Sequence, residues 1–166
     1  MWTIAEFDTV DDELLRRRLL ACCAAPRWAD AVARGRPYRE RAALLSAADV
    51  VFASLDADQL ARAVTAHPVI GERPRDDGEE SDWSRREQSA ALHADDATRA
   101  ELRQANLDYQ RRFGHVFLIR AAGRDTGELL AEARRRLGND PAAEARETAR
   151  ELRDIVRLRL EGLVSQ

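Results

Sequence analysis

At 166 residues the chain suits one domain built on a single core and is too short to suggest two. With 45% apolar and 34% charged residues but only eight Gly and five Pro, its profile is that of a helical globular protein and excludes disordered and fibrous classes. The formal charge of −3, with all 27 basic side chains Arg, argues against a nucleic-acid partner, since most Arg stand beside Asp or Glu as on a solvated helical face.

The start of the chain has no basic-then-apolar leader, and no apolar run approaches membrane-spanning length, so a cytoplasmic protein without a membrane partner is expected. Cys22 and Cys23 are adjacent in an apolar helical pattern. That spacing suits neither a disulfide framework nor a zinc site and reads as two small buried residues in a reducing compartment.

Residues 1–10 read as an irregular segment carrying Trp2, Ile4 and Phe7. Asp11 or Asp12 can cap a helix whose apolar positions are Leu14, Leu15, Leu19, Leu20 and one of the two cysteines, up to the interruption at Pro26. A short helix over residues 28–33 is closed by Gly35 and Pro37. From Tyr38 the positions Ala42, Leu45, Ala48, Val51 and Phe52 predict a helix ending near Ser54 and Leu55, and Asp56 or Asp58 caps the next, over residues 59–65, with Leu60 and Val64 on one face. Pro68 must end it, because proline lacks an N–H and disfavours helical backbone in the residue before it.

Residues 69–82 form the longest stretch without periodicity, with a charged tip in which Glu79, Glu80 and Asp82 are expected to face solvent. Ser84 and Glu87 have capping-box spacing for a helix reaching about His93. Asp95 or Asp96 opens the next, where Ala97, Leu102, Ala105, Leu107 and Tyr109 lead to Phe113 and Gly114 is the stop. Residues 115–119 are strand-like but have no partner strand, which predicts an extended buried connection ending at Ala121, Ala122 and Gly123. Two helices close the chain. One covers residues 126–137; the other covers 141–164, started by Asp140 and Pro141, with Ala145, Thr148, Leu152, Ile155, Leu158 or Arg159, and Gly162 inward. The whole predicts an all-α, single-domain irregular helical bundle over residues 1–166.

Chemistry concentrates between His67 and Gln88. His67, fixed at a helix end before proline, suits general acid/base work, although a histidine stabilised by the helix dipole would look the same. Glu87 could hold the imidazole tautomer and favour its protonated form, or serve only as the capping-box acid. Ser84 and Gln88 share that ambiguity, with the addition that N–H groups at a helix start suit an anion. Arg159 lies in an apolar stretch and calls for an anion, either a substrate carboxylate or a structural Asp or Glu. His93 and His115 read as packing or surface residues. No metal-ligand spacing, phosphate loop or nucleophile elbow is present, so no metal site is expected and any chemistry is cofactor-free proton transfer.

Four pieces in order, His67-Pro68-x-Ile70-Gly71-Glu72, Trp83-Ser84-x-x-Glu87-Gln88, Phe113-Gly114-His115-x-Phe117-x-Ile119-x-Ala121-x-Gly123-Arg124 and Glu151-Leu152-x-x-Ile155-x-x-x-Arg159-Leu160, resemble the 2-oxo-4-hydroxy-4-carboxy-5-ureidoimidazoline (OHCU) decarboxylases of urate breakdown. The resemblance spans essentially the whole chain. It implies an all-α fold, commonly a homodimer, that converts OHCU to (S)-allantoin and carbon dioxide without metal or organic cofactor. By matching position, His67 is the catalytic acid/base, Glu87 its partner and Arg159 a substrate-binding cation. Pro68, Ser84, Arg85, Arg86, Glu87, Gln88, Ile119, Arg120, Ala121, Ala122 and Gly123 line the ligand site. The chemistry is compatible, because the carboxylate of OHCU sits on a carbon next to a C=N group that can accept the electrons left by carbon dioxide, so no added electron sink is required. The rival from another class is a helical ligand-binding or regulatory module with the same pocket and no turnover; a metal-dependent hydrolase is a more distant third.

Overall fold

Short polar side chains set where most of the described helices begin. The computed structural model describes residues 1–70 and 95–165. Among the described residues there are eight helices and no sheet, the all-α class expected from the sequence. They are α1 (Ile4–Thr9), α2 (Asp12–Cys22), α3 (Pro26–Arg34), α4 (Arg41–Ala53), α5 (Ala57–Thr65), α6 (Asp96–Phe113), α7 (Thr126–Arg136) and α8 (Pro141–Leu163). None is long and apolar enough to cross a membrane. By internal contacts the chain divides into two compact units, Met1–Ala63 with Arg153–Gln166, and Val64–Leu152.

In the first unit Asp11 caps α2 by accepting from the N–H groups of Glu13 and Leu14. Pro26 opens α3, two residues before the start expected at Trp28, and Gly35 ends it as expected. Residues 4–9, expected to be irregular, are instead helical: Thr3 and Glu6 form a reciprocal capping box and Phe7 anchors the turn in the core. The core gathers Phe7, Leu15, Leu19, Trp28, Val32, Leu44, Phe52 and Leu160, and Cys22 and Cys23 are both buried. Of the apolar positions predicted for α4, Leu45, Ala48 and Phe52 are buried and Val51 is partly so; Ala42 is exposed, and Leu44 joins the buried face.

In the second unit Asp95 caps α6 and Gly114 closes it in the left-handed region at φ +78, donating to Gln110 O. Residues 115–119 form neither helix nor strand, and Phe117, Leu118 and Ile119 are buried, as an extended connection requires. Asp125 and Glu128 form the capping box of α7. Three positions of the predicted apolar patterns are corrected here: Ala97 is exposed, Leu107 is 48% exposed while its neighbour Asn106 is buried, and Ala145 is exposed while Glu144 is buried. Gly162, in the first-unit part of α8, is likewise exposed, with Leu163 buried.

Glu144 belongs to a polar cluster enclosed in the second unit. Arg136 and Glu144 are 0% and 1% exposed and form an ion pair, with Arg136 Nε donating to Glu144 Oε1 at 2.9 Å. The Tyr109 hydroxyl also donates to Glu144 Oε1. Arg136 Nη2 donates to Thr148 Oγ1 at 3.0 Å, and Nη1 to the Leu118 carbonyl at 2.7 Å. The guanidinium carbon lies 4.9 Å from the Phe117 ring centroid, a cation–π contact in a dry setting.

Candidate active site

His67 stands just past the last turn of α5, where Pro68 prevents further helix and the His67 N–H donates to Val64 O at 3.1 Å. It is buried, at 6% exposure, and Pro68 beside it is partly buried. Ile70 follows as a core residue, and its carbonyl accepts from Asn106 Nδ2 at 2.9 Å. An α6 side chain therefore fixes the backbone three residues after the histidine. The apolar pattern of α6 includes the exposed Leu107 and passes over the buried Asn106. The signal was there, because Asn106 lies four residues after Leu102 and three before Tyr109, both buried.

Asn106 Oδ1 is buried without a hydrogen-bond partner among the described residues. Asn106→Leu is expected to lower stability by about 1 kcal/mol, since orphaning the Ile70 carbonyl costs about 1–3 kcal/mol while removing the unmet Oδ1 offsets part of it. The urea midpoint measures this, and an unchanged midpoint would mean that Ile70 does not depend on Asn106.

The second backbone element of the candidate site is the 119–123 segment. Ile119 and Ala121 are buried, Arg120 and Ala122 partly so, and Gly123 is exposed at φ +82. Arg124 N–H donates to Ala121 O at 3.0 Å, closing a β-turn in which Gly123 holds the third position, where a left-handed backbone favours glycine. Among the described residues, the N–H groups of Ala121, Ala122 and Gly123 donate to no backbone carbonyl. Glu151 on α8 accepts the Arg120 N–H through Oε2 at 2.8 Å and faces the Arg124 guanidinium through Oε1 at 3.5 Å.

Ile70, Ile119 and Ala121 share one apolar core with Tyr109 and Phe117. Two of the singled-out segments, 67–70 and 119–123, thus belong to the same unit and rest on a common core. Ser84, Arg85, Arg86, Glu87 and Gln88 lie outside the described residues, as do the predicted capping box, the charged loop tip and His93. The expected contact between His67 and Glu87 falls there too. Arg159 belongs to the first unit, where it is 2% exposed and Nη1 donates to the Ala21 carbonyl at 3.3 Å. The inward position predicted for it is correct.

Chemically, the described residues of the second unit offer a buried imidazole at a proline-terminated helix end and a glycine turn whose amide donors meet no backbone carbonyl among the described residues. That combination can exchange a proton with a bound molecule and orient polar groups on it.

Residues 8–161 match the family model described as OHCU decarboxylase. A 2-oxo-4-hydroxy-4-carboxy-5-ureidoimidazoline decarboxylase of Amia calva is 33% identical over 143 residues, covering 84% of this chain and 81% of that protein. The uric acid degradation bifunctional protein TTL of Arabidopsis thaliana is 32% identical over 148 residues, covering 87% of this chain; the chain spans only 45% of that relative's length. A crystal structure of OHCU decarboxylase determined in the presence of (S)-allantoin superposes with a TM-score of 0.76 at 27% identity, covering 95% of this chain and all of that one.

Proposed function

Because the chain belongs to the OHCU decarboxylase family, we propose that it removes carbon dioxide from OHCU to give (S)-allantoin, with His67 as the general acid/base. The observation that carries this reading is the family match over residues 8–161, which includes His67, the 119–123 segment and Arg159. The buried position of His67 before Pro68 supports its role, because a proton carrier must be held in one place relative to the bond that breaks.

The C–COO⁻ bond of OHCU breaks and its electron pair moves toward the adjacent C=N group, whose nitrogen takes a proton. The hydroxyl on the former carboxylate-bearing carbon then loses its proton as that carbon becomes the carbonyl of allantoin. The neighbouring ring carbon gains a proton on one face, which sets the (S) configuration. His67 is assigned to proton movement at the hydroxyl or the ring carbon. Glu87 is assigned as its partner, and Pro68, Ser84, Arg85, Arg86, Gln88 and residues 119–123 as the lining of the ligand site. Arg159 is assigned as the cation for the substrate carboxylate.

The test generates OHCU in situ from urate with urate oxidase and hydroxyisourate hydrolase, then follows its ultraviolet decay and the circular dichroism of the allantoin formed. The expected result is faster decay and an (S)-enriched product. A spontaneous rate with racemic allantoin would sink the assignment. Arg159→Ala separates substrate from product: charged hydrogen bonds contribute about 1.5–3 kcal/mol, so kcat/KM should fall roughly 10- to 100-fold. Affinity for allantoin, which has no carboxylate, should change less; equal losses would remove Arg159 from carboxylate binding.

We also propose that the chain acts in the cytoplasm as a homodimer of single-domain protomers. The buried Cys22 and Cys23 suit a reducing compartment. Light scattering giving twice the 18.7 kDa chain mass, and one cooperative unfolding transition, are the expected measurements.

A further inference from the structure

We propose that Glu151 is a positioning residue of the active site, clamping the 120–124 backbone so that the amide donors of the glycine turn are presented to the substrate. The inference rests on the proposed role of residues 119–123. It starts from a requirement: a connection that is neither helix nor sheet must find partners for its buried polar groups elsewhere. In this segment the Arg120 N–H finds a carboxylate oxygen, Glu151 Oε2, at 2.8 Å. The other oxygen, Oε1, meets the Arg124 guanidinium at 3.5 Å.

One side chain therefore grips the residue before the turn and the residue that closes it. Between those grips lie Ala121, Ala122 and Gly123, whose N–H groups donate to no backbone carbonyl among the described residues. Glu151 itself is seated on α8, whose neighbouring residue Leu152 is fully buried, so the clamp is anchored to a packed helix. Donors aimed in advance bind a polar ligand without first being ordered, and slackening them weakens binding without deleting any group that touches the ligand.

The two grips are unequal. The Arg120 bond is short and charge-assisted, whereas the Arg124 pair is long and the Arg124 side chain is 32% exposed, so solvent screens it. A glutamine can still accept the Arg120 N–H. An aspartate keeps the charge but shortens the reach.

OHCU kinetics are measured for wild type, Glu151→Ala, Glu151→Gln, Glu151→Asp and Arg124→Ala, with Leu15→Ala of the first-unit core as a stability control. Glu151→Ala and Glu151→Asp are expected to raise KM about tenfold with kcat within about threefold, and Glu151→Gln to restore KM to within about threefold of wild type. Arg124→Ala should remain within about threefold as well. Leu15→Ala should lower Tm at least as far as Glu151→Ala and leave KM unchanged. Should Glu151→Ala fail to fold, the aspartate and glutamine variants still bracket the effect. A wild-type KM in Glu151→Asp, a glutamine variant as impaired as the alanine one, or a KM rise in Leu15→Ala matching that of Glu151→Ala would overturn the proposal.

If the wild-type chain does not accelerate OHCU loss, the proposed function fails independently. Amide hydrogen exchange then judges the clamp: faster exchange confined to residues 120–124 in Glu151→Asp, restored toward wild type in Glu151→Gln, supports it, and unchanged exchange there in Glu151→Asp refutes it.

Discussion

Replacing His67 by Asn is expected to cut kcat for OHCU by roughly 10²–10⁴-fold, the range that a positioned proton donor or acceptor contributes. The helical signal in far-ultraviolet circular dichroism should not change. The backbone at this position is set by Pro68 and by the His67 N–H donating to Val64 O, neither of which depends on the imidazole. Asparagine keeps a polar, hydrogen-bonding side chain of smaller size in a place only 6% exposed, so the fold has little reason to rearrange. What it cannot do is gain and lose a proton near neutrality. If His67 moves the proton that sets the product configuration, the residual allantoin should also drift toward a racemate, because spontaneous protonation has no preferred face. A variant with a rate within about threefold of wild type and (S) product would take His67 out of the proton step. The remaining candidates would then be groups that bind and orient.

The parts of this fold legible in the sequence are those written by local chemistry. Asp11, Asp95 and Asp140 mark helix starts because a short acid side chain can reach N–H groups two or three residues ahead, whatever lies elsewhere. Pro26, Pro68 and Gly114 mark breaks for equally local reasons. Helix α1 had such a signal in Thr3 and Glu6, but at six residues it is too short to show an apolar period. Inward faces were harder to read, because a one-residue error rotates a helix by about 100°. Thus Ala145 and Leu107 were given places that belong to Glu144 and Asn106, and in both cases an apolar residue was preferred to a polar one that finds its partner inside.

In the candidate site, the break at His67 and Pro68 and the end of the extended segment at Gly123 were legible from local chemistry, whereas the ligand-site role of residues 119–123 came only from the family resemblance. The supports of both segments were not legible. Asn106 serves Ile70 from 36 residues away and Glu151 serves Arg120 from 31 away, separations that no periodicity encodes. Arg136 is the clearest case of concealment. It ends an Arg-Arg-Arg run that reads as a solvated face, yet it continues the buried row Leu129, Leu130, Ala133 at helical spacing. Likewise Glu144 extends the row Thr148, Leu152, Ile155 backward by one turn.

That buried pair carries the largest stability effect expected among the described residues. Arg136→Ala or Glu144→Ala should each destabilise the protein by about 3–5 kcal/mol, because either change leaves the opposite charge enclosed without its partner. Against the roughly 5–15 kcal/mol that typically holds a domain together, a loss of that size brings the chain near unfolding at physiological temperature. The double variant Arg136→Met with Glu144→Leu removes both charges at once and should recover part of the loss. Full recovery is not expected, since the Leu118 carbonyl and the Tyr109 hydroxyl would still lack the partners they now have.

The same cluster sets a pH window. Burial pushes the Glu144 carboxyl upward, but its bonds from Arg136, Tyr109 and Asn139 prevail and hold it below its ordinary 4.5. Its contribution is thus complete above about 4.5 and is lost as pH falls through the lower folded value. Tyr109 is pushed up to about 12 by burial and then by its bond to Glu144, so its contribution is complete below 10 and is lost as pH rises toward 12. Urea unfolding across pH should therefore show a stability gap between wild type and the double variant that is flat from about pH 5 to 10 and narrows in acid, while the burial of Tyr109, common to both chains, lowers the stability of both as pH rises toward 12. A gap that stays constant below pH 4 would mean that Glu144 is not the ionised partner of Arg136. Because Arg136 also holds the Leu118 carbonyl, one residue before Ile119, the single variants should lose catalytic activity at temperatures where they are still folded.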